Sequence, residues 1–305
     1  MAFKSIYSND LSSAKIRLIF CRAKYHDRIS CNNCGSFHII KYSDRQFRCQ
    51  KCWTKQAVTT GAWINRTRYS FRFWYDITWC FVLGHSANKA HRLLKTNNAT
   101  QTWYAYQTIR KAMLADSLIN KPNFVGTCEV DESYYGGQFK NLRQSVRRSY
   151  RETGLAKRGR GAKYRKQPVF GIYKRNGTVH LDLVKDTGKK ELLPKIKKIV
   201  AKESIICSDE HTSYGQLVGL GYIHRVVNHG KQEYVVGQWH VNGIEGFWGL
   251  SKTNMHTYKG IRKPNWKYYL KEMEWRYNHR NQTFEEQVMA IIKLLMSKKR
   301  PIISG

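Results

Sequence analysis

The sequence predicts a mixed α/β domain that follows a four-cysteine metal ribbon and a small helical module. Three observations carry this prediction: a paired CxxC motif near the N-terminus, helical periodicity over 68–118, and strands alternating with helices over 124–258. The expected domains are an N-terminal segment at 1–27, a ribbon at 28–58, a helical module at 68–118, an α/β domain at 124–258 with a basic insertion at 140–166, and a C-terminal helical region at 264–297.

The ribbon prediction rests on two CxxC pairs with 14 residues between them. Each pair predicts a tight turn that directs two thiolates at one point, which is typical of a structural zinc site. The segment has few apolar residues, so a tetrahedral Zn²⁺ would supply the stability that burial cannot. The alternative is four reduced thiols that bind no metal. The expected zinc ligands are Cys31, Cys34, Cys49 and Cys52.

The remaining four cysteines show no ligand spacing, and we expect them to be buried, reduced thiols. They are Cys21, Cys80, Cys128 and Cys207. No secretory leader is readable in the first 20 residues, and no apolar run reaches the ~18 residues that a membrane span needs. The sequence therefore predicts no membrane partner.

The net charge favours a nucleic acid as the partner. The chain has 54 Lys and Arg against 21 Asp and Glu, a formal charge of +33. Such a charge opposes compaction by self-repulsion unless a polyanion neutralises it. The basic residues are spread along the whole chain, which argues against a basic tail on a neutral enzyme.

Residues 68–118 show apolar positions at helical spacing in three segments, separated near Gly84 and Asn97. Three short helices favour a helix-turn-helix, and its last helix would carry Arg110 and Lys111 into a DNA major groove. A plain three-helix packing module with a solvated face explains the same periodicity equally well.

The α/β domain is predicted from strands that end at acidic residues. One apolar strand delivers Asp131, and a second, over 204–207, delivers Asp209. Between them, Asn176-Gly177 separates two apolar runs, which indicates a β-hairpin. A helix is expected from about Leu192, with Pro194 tolerated in its first turn.

The basic insertion carries eleven Lys or Arg and one acid over 140–166. This composition predicts a flexible loop whose like charges repel one another unless phosphates neutralise them. We expect its arginines to contact DNA, in particular Arg147, Arg148, Arg158 and Arg160.

Asp131, Asp209 and Glu245 are the candidate catalytic residues. Carboxylates gathered in one site repel one another unless divalent cations neutralise them, so such a cluster implies a hard metal. Two metals would clamp the attacking and leaving oxygens of a phosphoryl transfer. From spacing alone, ordinary strand-end acids remain an alternative, and Glu129, on the same strand face as Asp131, remains an alternative ligand.

Three motifs then indicate a family. VDESYYGG around Asp131, SDEHTSY around Asp209 and VNGIEGFWGLSK around Glu245 occur in this order, with 35 residues between the second and third acids. The sequence resembles DDE-type insertion-sequence transposases that join a zinc ribbon to an RNase H-like catalytic domain, the bacterial relatives of the Merlin transposases. The resemblance extends from the ribbon to RYNHR at 276–280.

The resemblance implies that Asp131, Asp209 and Glu245 bind two Mg²⁺ ions in an RNase H-like mixed sheet. It also places a basic residue at Lys252, which lies seven positions after Glu245 and therefore on the same helix face, within reach of a DNA phosphate. The implied activity is metal-dependent hydrolysis of a phosphodiester, followed by transfer of the freed 3′ end to target DNA.

The expected partners are the terminal inverted repeats of the element, target DNA and further copies of the chain on DNA. The expected location is the cytoplasm, at the nucleoid, in a prokaryotic host, or the nucleus in a eukaryotic one. A non-catalytic zinc-ribbon regulator and a plain RNase H-like nuclease remain as alternatives.

Overall fold

A computed structural model describes residues 7, 10–26, 28–43, 45–65, 67–136, 142–153, 166–210, 212–227, 240–258 and 261–299. The chain divides into two compact units, Met1–Ile119 with His279–Gly305, and Asn120–Asn278. This division separates the two halves of the C-terminal helical region that we expected at 264–297. The first half belongs with the α/β unit, and the second half belongs with the N-terminal unit.

The ribbon is a small antiparallel sheet that follows helix α1 (Ser13–Tyr25). Its strands are β1 (Ile39–Lys41), β2 (Gln46–Cys49) and β3 (Lys55–Ala57), in the order β1-β2-β3. The side chain of Phe47 on the central strand is fully buried. With so small an apolar core, burial alone contributes little to the stability of the ribbon.

Three helices follow the ribbon: α2 (Phe71–Val82), α3 (Ala87–Leu94) and α4 (Ala99–Ile119). Each begins after a side chain that accepts a hydrogen bond from a backbone N–H in the first turn: Ser70 from Phe73, Ser86 from Lys89, and Asn98 from Gln101. Near the C-terminus, α9 (Phe284–Met296) starts with a capping box and packs against α1, α2 and α4. The ends of the chain therefore share one helical core.

The second unit contains a five-stranded mixed sheet in the order β6-β5-β4-β7-β8. The strands β5 and β6 form the hairpin predicted around Asn176, and Asn176 adopts φ +55°. The central strand β4 is antiparallel to β5 and parallel to β7, and β7 is parallel to β8. The strands are β4 (Thr127–Tyr135), β5 (Gln167–Lys174), β6 (Val179–Leu183), β7 (Ile205–Ser208) and β8 (Ile223–Val226).

Helices cover both faces of this sheet. Residues of β4 alternate between the faces, with Val130 packed toward α6 (Lys189–Ile199) and Tyr135 packed toward α7 (Asn242–His256) and α8 (Trp266–Asn278). Because the central strand β4 has helices on both sides, a charged side chain on it is shielded from solvent unless it lies near an end of the neighbouring strands.

Two sequence-based expectations in this unit are wrong. Helix α6 begins at Lys189, so Pro194 is its sixth residue rather than part of the first turn, and the proline costs one intrahelical hydrogen bond. Buried leucines and isoleucines on the same helix offset that loss. Part of the expected flexible loop is helical, since Gln144–Glu152 forms α5, a helix with no buried residue.

Within the described residues, no helix has both the length and the apolar character needed to cross a bilayer.

Candidate active site

Two of the candidate acids lie side by side because β4 and β7 are parallel and in register. Glu129 on β4 pairs with Cys207 on β7. Asp131 and Asp209 are each two residues further along, Asp131 within β4 and Asp209 directly after the end of β7. Parallel strands bring equivalent positions to the same end of the sheet, so both carboxylates lie at the carboxyl end of β7.

The third acid, Glu245, is in the first turn of α7 and is exposed. Helix α7 packs against β4, and repulsion from Asp209 and from Glu245 adds to the raised pKa of Asp131. The carboxylate oxygens of the three acids do not all lie as close together as the four cysteine sulfurs do. Among the described residues, the cysteines alone form a metal-ligand group whose atoms all lie within 4.8 Å of one another.

Asp131 is held in place by two donors. The indole Nε1 of Trp248 donates to Oδ2 over 3.0 Å, and the backbone N–H of Glu132 donates to Oδ1 over 2.7 Å. Burial raises the pKa of Asp131 to about 6, the two neighbouring acids add to this effect, and the two donors oppose it. A buried carboxylate with like charges beside it is stabilised by a bound cation.

The position of Trp248 depends on a glycine in the neighbouring strand. Gly171 on β5 is the register partner of Asp131, and a Cβ at Gly171 would lie 2.6 Å from the indole ring. The missing side chain therefore lets the indole lie against the sheet with its N–H directed at Asp131. Trp248 is 4% exposed, which fixes this arrangement in the core.

Glu129 is fully buried, and protein groups contact both of its oxygens. Oε2 accepts a hydrogen bond from the backbone N–H of Ile244, and Oε1 accepts one from Arg175 Nε, at 3.0 and 3.1 Å. His240 Nδ1 lies 3.3 Å from Oε1. Glu129 thus supplies a negative charge at the N-terminus of α7, where the helix dipole favours it.

Glycine at position 243 permits this close contact between α7 and β4. A Cβ at Gly243 would lie 2.1 Å from the Tyr173 ring and 2.9 Å from Glu129 Oε2. Further along α7, Ser251 accepts a hydrogen bond from the hydroxyl of Tyr135 over 2.8 Å. Contacts from Glu129, Asp131 and Tyr135 therefore fix α7, the helix that carries Glu245, along one face of β4.

Two other acids follow the candidate ligands directly. Glu132 lies on the opposite face of β4 and accepts a hydrogen bond from the buried hydroxyl of Tyr214. Burial raises the pKa of Glu132 to about 7, and repulsion from Asp131 and Asp209 adds to it. Glu210 is exposed. Neither residue shares the strand face that carries Asp131.

The residues expected to contact DNA differ in where the structure places them. Lys252 is exposed on α7, on the same side of the helix as Glu245, and Lys111 is exposed on α4. Arg148 is exposed and Arg147 is half-buried on α5. Arg158 and Arg160 lie outside the described residues.

Arg110 does not lie on the surface where we expected it. It is 2% exposed, and its guanidinium carbon lies 5.6 Å from the ring centroid of Phe81 and 5.7 Å from that of Tyr106. The helix α4 packs against α2 and α9, so this side of it faces the core. Arg110 is therefore too deeply buried to contact DNA, whereas Lys111 lies on the exposed side of α4.

The four ribbon cysteines converge on one point. The Sγ atoms of Cys31 and Cys52 are 3.6 Å apart, as are those of Cys34 and Cys49. Thiolates at ~2.3 Å from a tetrahedral zinc lie ~3.8 Å from one another, so these distances fit a zinc site. Gln56 Nε2 also donates to Cys31 Sγ over 3.1 Å, which suits a thiolate. The other four cysteines are buried and unbridged, which confirms the expectation for them.

Trp248 and Gly171 are the site residues that sequence reasoning missed. A glycine inside the apolar strand VFGIY is a signal of close approach by another group, and it could have been read as such. Trp248 lies three residues after Glu245 in the motif, but nothing in the sequence indicates that its indole reaches Asp131.

The chain is similar to known transposase sequences. The family profile described as ISXO2-like transposase domain matches residues 124–278. An uncharacterized transposase-like protein of Haemophilus influenzae is 32% identical over 118 residues, which cover 39% of this chain and 93% of that protein. An uncharacterized protein in transposable element ISH50 of Halobacterium salinarum is 22% identical over 283 residues, which cover 87% of this chain and 91% of that protein. The family profile spans 155 of the 305 residues and includes all five strands β4 to β8. Because the match covers more than half of the chain, the chain belongs to the ISXO2-like transposase family.

Proposed function

We propose that this transposase binds the terminal repeats of its element and catalyses metal-dependent DNA cleavage and strand transfer, with Asp131, Asp209 and Glu245 as the catalytic triad. One observation carries the proposal: Asp131 on β4 and Asp209 directly after β7 lie at the same end of the sheet, and α7, which carries Glu245, packs against β4. The strand order, with β4 central and parallel to β7, supports an RNase H-like fold.

The acids at this end of the sheet fit Mg²⁺ in their chemistry. Carboxylate oxygens are the ligands that hard cations take, and neighbouring negative charges favour a bound cation that neutralises them. When bound, two such ions would polarise the scissile phosphate and stabilise the attacking and leaving oxygens. Asp131 would hold one ligand oxygen at a fixed position, because Trp248 and the Glu132 N–H restrain its carboxylate.

Helix α7 would supply both a metal ligand and a DNA contact. Glu245 lies in its first turn, and Lys252, two turns later on the same side, would contact a phosphate beside the metals. Glu129 is fully buried and its charge is balanced by Arg175, whereas neighbouring acids repel the charge of Asp131. We therefore assign Glu129 to positioning α7 and propose Asp131 as the metal ligand on β4.

DNA binding would come from several basic surfaces. The zinc ribbon, the helices α2, α3 and α4 in a helix-turn-helix role, Lys111, and Arg147 and Arg148 on α5 would contact phosphates. We also assign Arg158 and Arg160 to this role from their sequence alone. Two or more copies of the chain would assemble on paired element ends.

The purified protein, incubated with a labelled duplex that carries the terminal repeats, tests the proposal. Mg²⁺ should produce cleaved ends and, with a target plasmid, joined products, while EDTA should stop both reactions and leave binding intact. Binding without cleavage in Mg²⁺ would indicate the regulator instead. Cleavage without joining would indicate the plain nuclease.

Loss of the indole donor should change how Mg²⁺ binding depends on pH. Because Trp248→Phe removes a hydrogen bond that stabilises the carboxylate, the pKa of Asp131 should rise above about 6. Mg²⁺ takes the ionised form, so its affinity rises with pH through this pKa, and in the variant that rise comes at higher pH. We expect roughly tenfold weaker Mg²⁺ binding near pH 6 and a small difference above about pH 8.

Calorimetric Mg²⁺ titrations across this pH range measure the effect. Trp275→Phe is the matched control, because it replaces a buried indole on α8, in the same unit, with the same smaller ring. The assignment of Trp248 is wrong if the two variants show the same pH profile.

Neutralising Glu129 should cost stability without removing Mg²⁺. Glu129→Gln breaks a buried pair with Arg175 and weakens the contact to the Ile244 N–H, so the unfolding free energy should fall by about 3–5 kcal/mol. Cleavage should fall through displacement of α7, while Mg²⁺ binding to Asp131 and Asp209 persists.

Glu274→Gln on α8 gives the comparison, since Glu274 accepts from a backbone N–H, that of Leu181, and from Lys271 Nζ, both at 2.7 Å. It should lose similar stability and keep near-normal cleavage. Chemical denaturation and the cleavage assay separate the two variants. Complete loss of Mg²⁺ binding in Glu129→Gln would make Glu129 a ligand.

A further inference from the structure

The ribbon sheet has an outer face whose individual residues have no role in the end binding and cleavage proposed above. Ile40, Arg48 and Lys55 are register partners across β1, β2 and β3, so they form one row across the sheet. The alternate positions Phe47 and Gln56 are buried on the opposite face. We call the row, together with Tyr42 and Trp53, the outer ribbon face.

Two aromatic rings are exposed on the outer ribbon face, and each has a cation over it. Tyr42 is 53% exposed and Trp53 is 60% exposed. Arg48 Cζ lies 4.6 Å from the centroid of Trp53, and Lys55 Nζ lies 4.1 Å from that of Tyr42. Lys55 also donates to the Tyr42 hydroxyl over 2.9 Å. Each cation covers one face of a ring and restrains it.

Trp53 occupies a backbone position that suits glycine. It directly follows the second CxxC pair and has φ +59°, and the residue that follows the first pair is Gly35, with φ +70°. The two turns therefore require the same left-handed conformation, which a bulky side chain adopts only with strain. Since the indole is mostly exposed, burial does not compensate for that strain. Strain of this kind concentrates at functional positions.

The segment that contains the ribbon is rich in positive charge. Residues 11–65 contain ten Lys or Arg against two acids, Asp27 and Asp44. Exposed rings beside cations match a nucleotide, whose base offers a flat apolar face and whose phosphate lies close by. In a duplex the bases are stacked inside and cannot reach these rings, whereas unpaired bases can.

We propose that the outer ribbon face binds single-stranded DNA, with unpaired bases stacked on Trp53 and Tyr42 and phosphates contacting Arg48 and Lys55. This goes beyond end binding and cleavage, and it rests on the proposed function only in naming DNA as the polymer. Stacking tolerates any base, so the surface would hold an opened or unpaired strand regardless of its sequence.

Trp53→Gly in the full-length, zinc-loaded protein tests the proposal, because it removes the ring and relieves the backbone strain together. Affinity for a short labelled oligothymidylate should fall by about 5- to 150-fold. Thermal stability of the ribbon should stay level or rise, since glycine accepts the positive φ. Affinity for a blunt duplex of equal length should change by less than about twofold, because phosphate contacts dominate duplex binding.

Trp53→Phe should restore most of the single-strand affinity, and Phe284→Ala, which removes an exposed ring at the start of α9, should have no effect. Equal losses for single strand and duplex, or no loss in Trp53→Gly, would overturn the proposal. All measurements use EDTA-free buffer without Mg²⁺ and are repeated in an Asp131→Asn background. Failure of the catalytic proposal would therefore leave the single-strand result unchanged.

Discussion

We expect Asp131→Asn, Asp209→Asn and Glu245→Gln each to reduce strand cleavage by about 10³-fold or more, since metal-held charge contributes several kcal/mol to the transition state. Each change keeps the size of the side chain and removes the negative charge that holds a divalent ion. Binding of a terminal-repeat duplex should remain nearly intact, because basic residues elsewhere contact the phosphates. Gel-based cleavage and a fluorescence binding assay measure the two effects on the same duplex.

Two further variants define the limits of this prediction. Glu210→Gln neutralises an exposed acid next to Asp209 and should cut normally. Lys252→Ala removes one phosphate contact and should cost about 1.5–3 kcal/mol of transition-state stabilisation, much less than loss of a metal ligand. If all three triad variants still cleave, the catalytic assignment fails.

The sequence contained the information that locates the first two acids of the site. Asp131 and Asp209 each follow an apolar strand, and the structure places both at one end of the sheet because β4 and β7 are parallel. Glu245 is different, since a position at a helix end does not fix where the side chain lies, and the resemblance of its motif to a family supports its choice. In the structure, α7 packs against β4 and brings Glu245 within electrostatic range of Asp131.

The expectations that failed depended on packing partners far away in the sequence. Helical periodicity placed Arg110 on the third helix of the module but could not show that α9, which begins 174 residues after Arg110, helps to enclose α4. Strand periodicity likewise put Glu129 and Asp131 on one face and could not separate their roles. The fold adds a contact that periodicity cannot show, the hydrogen bond from the backbone N–H of Ile244 to Glu129, on which we base our proposal for its role.

The basic insertion shows a different limit. Its composition predicts charge and the absence of a core, and α5 indeed buries no residue. Composition does not exclude a helix, however, because Gln144–Glu152 contains no glycine or proline to interrupt one. The surface that carries Arg147 and Arg148 is therefore a defined helix rather than a loop.

Replacing one ribbon cysteine should have the largest effect on folding. We expect Cys34→Ser to release the single zinc per chain and to unfold residues 31–52, because a structural zinc contributes apparent binding energies of about 10–16 kcal/mol. Among the described ribbon residues, burial supplies little to replace that energy, since Phe47 is the buried aromatic residue of the sheet. The unit Asn120–Asn278 has its own core on both sides of the sheet and should remain folded.

Metal analysis together with hydrogen exchange of the ribbon amides measures this outcome. Cys80→Ser is the control, because Cys80 is fully buried in α2, outside the cluster, and should keep full zinc content. Acid should mimic the substitution, since thiolates must lose their protons to bind zinc, and the ribbon amides should exchange once zinc is released. If the unmodified protein is purified without zinc and its ribbon amides are still protected, the four converging sulfurs do not form a structural metal site.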